Sequence, residues 1–430
     1  MIYLEDREKI TMRTSETTRQ HHPPIEHEEG RADSSSVGRV PQVNLRTTRW
    51  SARRRRDAWF LLIVLLLGIG TIMTLSYGGA QHAAQTSGTP PETFPPTATT
   101  TSTTEGTPVP TARMLAETAQ SHLFPFPQSN VGLMQPAVDA RGNVWVGEMQ
   151  ANRLARLDSH TGAVTSWEAP NGKNGIMTTA IDAQGNAWFV EQGANYIGRF
   201  DPARQTFRIF PLGTVQGRPM GPQALQFDAR GYLWFTAAAG GRIGRLDPTT
   251  GAIQTWPVPP PGAGIPSAPF SLTVLPNGQV WFGDITGGAV GHLDPATSHV
   301  TLYHLADPQA TIFSMSHDAK GRIWFTEIVP GRLGMIDSTT GRVTELPVPT
   351  VSGHPAALYG VVVAPGGDVW FANNGANALV RYVPDAATYT FFQLSASSGG
   401  LYGLTLDPAD ALWFTTSGSS ANIIGEMPKP

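Results

Sequence analysis

Gly321-Arg322-Ile323-Trp324-Phe325-Thr326-Glu327 is one version of a phrase that the chain writes seven times. Its Trp recurs at Trp145, Trp188, Trp234, Trp281, Trp324, Trp370 and Trp413, at spacings of 43 to 47 residues. Phe follows it in six copies, and Val146 does so in the first. Three residues upstream stands a Gly (Gly142, Gly185, Gly231, Gly278, Gly321, Gly367), replaced by Asp410 in the last copy. Self-similarity at this period is the signature of a β-propeller whose blades are four-stranded sheets.

Working outward from Trp324 gives one blade. Strand a carries Phe313, Met315 and His317, and Asp318-Ala319-Lys320-Gly321 turns the chain, Gly supplying positive φ. Strand b is Arg322–Glu327, strand c is Arg332–Ile336, and Asp337-Ser338-Thr339-Thr340-Gly341 is a hairpin turn before strand d. Strand b is apolar on both faces, as a sheet sandwiched between neighbours requires. Strand d ends in Pro-Val-Pro at Pro257–Pro259 and Pro347–Pro349. Proline cannot donate to a ladder, so strand d is the outer rim and strand a faces the channel.

The last copy supplies strands a, b and c and stops at Pro430. Before the first copy lies His122-Leu123-Phe124-Pro125-Phe126-Pro127, which is similar to Thr255-Trp256-Pro257-Val258-Pro259. The fold expected is all-β: a seven-bladed propeller over 122–430, closed by an N-terminal outer strand. Such closure removes open sheet edges, so deleting 122–127 is expected to prevent folding.

The front of the chain has other work. Residues 58–77 read AWFLLIVLLLGIGTIMTLSY without a charge, preceded by Arg49 and Arg53 to Arg56. A helix of about 20 such residues spans roughly 30 Å of hydrocarbon. The Arg cluster places the N-terminus in the cytoplasm and the remainder outside. The long polar leader suits an uncleaved anchor better than a signal peptide. Residues 1–57 are polar, charged and aperiodic, a disordered cytoplasmic tail. Residues 78–121 are rich in Pro, Thr and Ser, an extended extracellular stalk with a reach of about 100 Å. The chain is therefore expected in the cell membrane as a single-pass protein with its propeller exported.

Net charge is −3 and cysteine is absent. Nucleic acid finds no strong basic field, and disulfides, thiol nucleophiles and thiolate metal sites are excluded. Chemistry in a propeller gathers at the channel mouth. Eleven residues before each Trp stand Met134, Met177, Gln223, Phe270, Phe313, Tyr359 and Tyr402. Three after it stand Glu148, Glu191, Ala237, Asp284, Glu327, Asn373 and Thr416. The first ring is apolar and aromatic. The second holds four carboxylates and an amide, which could bind Ca2+ or Mg2+ or supply a general acid or base. The alternative is that they cap blade edges or pair with Arg153, Arg242 and Arg332. His317 reads as a core histidine with a hydrogen-bond partner, His292 as a solvated rim residue and His354 as a loop residue. A Ser-His-Asp order, a phosphate loop and a metal-binding His pair are all missing from the sequence.

The phrase Gly-x-x-Trp-Phe-Thr-Glu, followed by Gly-x-Ile-Gly-Arg-x-Asp-Pro and a Pro-ended strand, resembles the virginiamycin B lyase (streptogramin lyase) family of seven-bladed propellers. Gly185–Asp201, Gly231–Asp247 and Gly321–Asp337 carry the likeness, which is confined to 122–430. The resemblance implies elimination at the ester of a cyclic depsipeptide by two histidines, carboxylates and magnesium. It maps those roles onto Tyr359, Tyr402, Gly400, Thr416 or Ser417, and Met134, where none of the chemical types is retained. The expectation is a propeller that binds a small molecule, glycan or protein at Gln223, Phe270, Phe313, Tyr359, Tyr402 and the second ring, without lyase chemistry. Two alternatives stand: a divergent metal-dependent lyase or lactonase-like hydrolase using Glu148, Glu191, Asp284, Glu327 and Asn373, and a protein-interaction scaffold.

Overall fold

A computed structural model of the protein describes residues 111–115, 121–171, 175–351, 353–394, 400–417 and 422–428. The expected tail (1–57), membrane helix (58–77) and nearly all of the expected stalk lie outside them. Among the described residues no helix is long and apolar enough to cross a membrane.

Seven antiparallel sheets, each with its strands in order from the inside outward, make the blades. Blade five is Ile312–His317, Arg322–Glu327, Arg332–Asp337 and Val343–Pro347, hydrogen-bonded in sequence order. Inner strands touch the inner strands of adjacent blades, so strand a lines the channel and strand d the rim. A short hairpin, Thr214–Val215 with Arg218–Pro219, links blades two and three.

Each residue of the repeated phrase has a structural task. In five blades an Asp six residues before the Trp accepts two turn N–H groups on Oδ1 and the indole Nε1–H on Oδ2. Asp182, for example, takes Gln184 N at 3.0 Å, Asn186 N at 2.8 Å and Trp188 Nε1 at 2.8 Å. Asp139, Asp228, Asp318 and Asp407 repeat the clamp. In five blades the Phe after the Trp lies against the strand-c Gly opposite it, and in blade six Phe371 faces Val380. A Cβ at Gly334 would stand 2.0 Å from Phe325, which explains why this register position excludes a side chain in those five. The next Thr crosses to the following blade: Thr236 Oγ1 donates to Phe270 O at 2.9 Å, and Thr326 to Tyr359 O at 2.5 Å. Thr415 donates to Met134 O at 2.9 Å and so joins blade seven to blade one.

Arg side chains cover the outer faces of the Trp rings, as Arg199 does at 5.7 Å from Trp188. Blade four departs from this. Leu275 replaces the clamp Asp, Trp281 Nε1 has no acceptor among the described residues, and His292 stacks on the ring at 4.7 Å. His292 is thus half-buried against indole rather than a solvated rim residue, and burial pushes its pKa down.

The sheet of blade seven has the order His122–Pro125, Ile423–Met427, Leu412–Ser417, Gly400–Leu406. His122–Pro125 runs antiparallel to Ile423–Met427, with Phe124 opposite Ile424 and stacked at 5.8 Å on Trp413. Within the stretch assigned to the stalk, Thr111–Leu115 forms a strand. It pairs in parallel with Thr388–Gln393 as a fifth, outermost strand of blade six, with Ala112 and Arg113 exposed. An outer strand d offers unpaired backbone groups that any extended segment can use, so polar composition alone does not mark where a stalk stops.

Candidate functional site

The inner strands decide what stands at the channel mouth. In blades two to seven the pairing of strand a with strand b slips once near its start, for example between Leu358 and Val361. A bulge of this kind re-aims a side chain. The re-aimed residues are those counted eleven before each Trp, and they converge.

Phe313 is the centre. Its ring lies 5.3 Å from Phe270, 4.8 Å from Tyr359 and 5.2 Å from Tyr402, and the two Tyr rings are 5.8 Å apart. Met134, Met177, Phe313 and Tyr402 are buried in one cluster, with Phe270, Tyr359, Met149 and Ile328 packed on it. The sequence-predicted residues Phe270, Phe313, Tyr359 and Tyr402 are therefore brought together. They fill the channel instead of ringing an opening. Burial pushes the Tyr359 phenol up, against the pull of a side-chain hydrogen bond with Asn374. Burial, with Tyr359 adding to it, pushes the Tyr402 phenol far above its usual value of 10. Both are neutral donors, not bases. Gln223 is buried in the same ring, and its Oε1 has no hydrogen-bond partner among the described residues.

The second ring does not converge. Glu148, Glu191, Asp284, Glu327 and Asn373 are all buried, and most are held within their own blades. Asp284 accepts Ala268 N at 2.8 Å, Thr286 N at 2.8 Å and Thr286 Oγ1 at 2.7 Å. Asn373 Oδ1 accepts Ala357 N and Ala376 N. Glu191 accepts Ala194 N. Glu148 is paired with Arg153 through Nε at 2.8 Å and through Nη2. Four of the five thus order the loops that enter strand a and leave strand b, or hold the next strand's Arg. Among the described residues no three His, Asp or Glu side chains stand together as a metal site.

Glu327 is the exception. The Arg five residues on, Arg332, turns instead to Glu345 at 2.8 Å. Neither Glu327 oxygen has a hydrogen-bond partner among the described residues. Burial, reinforced by Glu345 and Asp307 and opposed by Arg332, raises its pKa to about 8. His317 has the expected partner, Thr273 Oγ1 at 2.9 Å, and burial lowers its pKa. His354 lies in an exposed turn closed by a bridge to Val351.

The sequence reading passed over the Asp–Trp clamps, although an Asp six residues before the Trp in five copies was a legible signal. It also gave no sign of Met149 and Ile328 above the cluster, because the position four after each Trp varies in type between Met149, Gln192, Ala238, Ile285, Ile328, Asn374 and Ser417.

The sequence profile of the virginiamycin B lyase family matches residues 104–360 and again 214–429. Among solved structures, a streptogramin B lyase is 25% identical, with a TM-score of 0.63 over 71% of this chain and 96% of that one. Virginiamycin B lyase from Staphylococcus aureus, with selenomethionine, is 22% identical, with a TM-score of 0.63 over 72% of this chain and 99% of that one. A catalytically inactive variant of the Staphylococcus aureus enzyme with quinupristin is 23% identical, with the same TM-score and coverage. Among curated protein sequences none matches.

Proposed function

We propose, from the premise that the chain belongs to the virginiamycin B lyase family, that it is a membrane-anchored extracellular propeller which binds a small ligand or partner at its channel mouth without lyase chemistry. One observation carries this reading: Phe270, Phe313, Tyr359 and Tyr402 pack together where the resemblance assigns the reacting groups. Elimination needs a base to remove a proton near neutral pH. The two positions matching the family's histidines hold phenols whose pKa is raised by burial, and Met134, Gly400 and Thr416 bring no carboxylate. What this surface offers is partly exposed Phe270 and Tyr359 beside Met149 and Ile328, a platform for an apolar or aromatic face. The anchor is residues 58–77 and the closing outer strand is His122–Pro125, which covers the outer edge of Ile423–Met427.

The test is incubation of the purified full-length chain with quinupristin and Mg2+, followed by chromatography of the antibiotic. The reading predicts that the ring stays closed over many hours. Linearisation that scales with protein concentration would overturn it.

A second reading, a divergent hydrolase or lyase, is favoured by Glu327 alone, since a carboxyl with a pKa of about 8 can exchange a proton near neutrality. Calorimetry with Mg2+ and Ca2+ separates the two: a micromolar site lost in Glu327→Gln favours the enzyme.

A further inference from the structure

Behind the aromatic cluster the channel holds a well of about 330 Å3. Its closed end is Phe270, Phe313 and Tyr402, and its far end is marked by partly exposed Gln226, His317 and Thr405. Residues of all seven inner strands line it, from Gln135 in blade one to Leu404 and Thr405 in blade seven. Blades six and seven pack closely here: a Cβ at Gly360 or Gly403 would stand within 3 Å of backbone atoms in the neighbouring strand.

We propose that this well is a binding site for a neutral polyhydroxylated molecule of monosaccharide size, entered from the face opposite the mouth. The inference concerns a different site and does not rest on the mouth reading.

Three observations carry it. First, two lining groups are buried and unpaired. Gln223 is 5% exposed and Ser271 6%, and neither Gln223 Oε1 nor Ser271 Oγ has a hydrogen-bond partner among the described residues. An unmet buried polar atom costs about 1–3 kcal/mol, so two such atoms in residues that line one well mark a place where a polar ligand that reaches them gains. Second, the other polar groups are arranged to donate. Ser314 Oγ and Ser316 Oγ accept Val361 N at 3.1 Å and Val363 N at 3.2 Å, which leaves each hydroxyl proton for the channel. Gln226 Oε1 accepts Val274 N at 3.1 Å, leaving its NH2 group. Third, the lining contains no Asp, Glu, Lys or Arg. A charged ligand would be desolvated there without a counter-charge, whereas hydroxyls meet amides and hydroxyls in kind.

The aromatic end suits the same class, because a pyranose presents apolar C–H faces between hydroxyl edges. The volume lies at the lower end of ligand pockets and corresponds to roughly eleven waters at about 30 Å3 each, enough for one sugar ring.

The experiment is saturation-transfer NMR and calorimetry on the full-length chain with methyl α-D-glucopyranoside, myo-inositol, sodium gluconate and glucosamine hydrochloride. At least one neutral probe is expected to bind, and the two charged probes at least tenfold more weakly. Gln223→Met, similar in volume but without the acceptor, should weaken the neutral probe tenfold or more with a melting temperature that does not fall. Ser271→Ala provides the same readout if Gln223→Met does not fold. Met149→Ala, at the mouth, should leave affinity unchanged. Absence of binding by both neutral probes at 50 mM would overturn the proposal and leave water as the occupant. Binding that ignores both well substitutions, or that follows Met149→Ala, would overturn it equally.

Discussion

Glu327 shows how one redirected neighbour changes a residue's chemistry. In blades one and five a carboxylate at the end of strand b is followed five positions later by an Arg, and in blade one the two meet as Glu148 and Arg153. In blade five Arg332 is drawn to Glu345 on strand d, and Glu327 is left buried without a partner. Its folded pKa of about 8 lies above the unfolded value of 4.5, so the folded state holds the extra proton between those limits. Stability from this site is therefore complete below pH 4.5 and is lost as pH rises through 8. In urea unfolding, Glu327→Gln should gain on the parent chain by about 2–4 kcal/mol between pH 5 and pH 9. Parallel pH curves for the two proteins would contradict this. The Trp clamps give a second residue-scale prediction. Trp188→Phe leaves Asp182 without its indole donor, while Trp281→Phe removes an N–H that has no acceptor. Measured by thermal melting, Trp188→Phe should cost about 1 kcal/mol more than Trp281→Phe.

At the scale of elements, the phrase that announces the fold also builds it. Trp anchors the turn between strands a and b, Phe meets Gly on strand c in five blades, and in three blades Thr reaches the next blade. Gly334→Ala would place a methyl 2.0 Å from the Phe325 ring, and core overpacking of this kind costs about 1–3 kcal/mol. A lower urea midpoint with an unchanged slope is the expected outcome. The two N-terminal strands should differ in weight. Phe124 stacks on Trp413 and packs on the core of blades seven and one, whereas Thr111–Leu115 is added outside a complete sheet. Leu123→Asp/Phe124→Asp should lower the melting temperature by 10 °C or more, at about 4–8 °C per kcal/mol for a small domain and less for a larger one. Deletion of residues 111–115 should change it little. Equal effects would refute the assignment of His122–Pro125 as the strand that completes the ring.

For the whole molecule, the blade number, the strand order and the ring of residues at each strand-a bulge were legible because the repeat restates them seven times. The Pro-ended strands marked the rim for the same reason: an edge is where a missing donor is tolerated. The second ring was legible as a set of carboxylates but not as separate loop anchors. Spacing along the chain says which level a residue occupies, not whether a neighbouring loop N–H reaches it first. The channel's closure was hidden too. Seven residues of mixed size can surround an opening or fill it, and only their packing distances decide.

That closure is the central claim, and spectrophotometric titration of tyrosine tests it most directly. If Tyr359 and Tyr402 are packed against Phe313, their phenols ionise above the usual pH 10 while the protein is folded. The double variant Tyr359→Phe/Tyr402→Phe should then give the same absorbance step at pH 10 as the parent chain. A step smaller by two phenols' worth would mean that the mouth is open to water, and the account would be wrong.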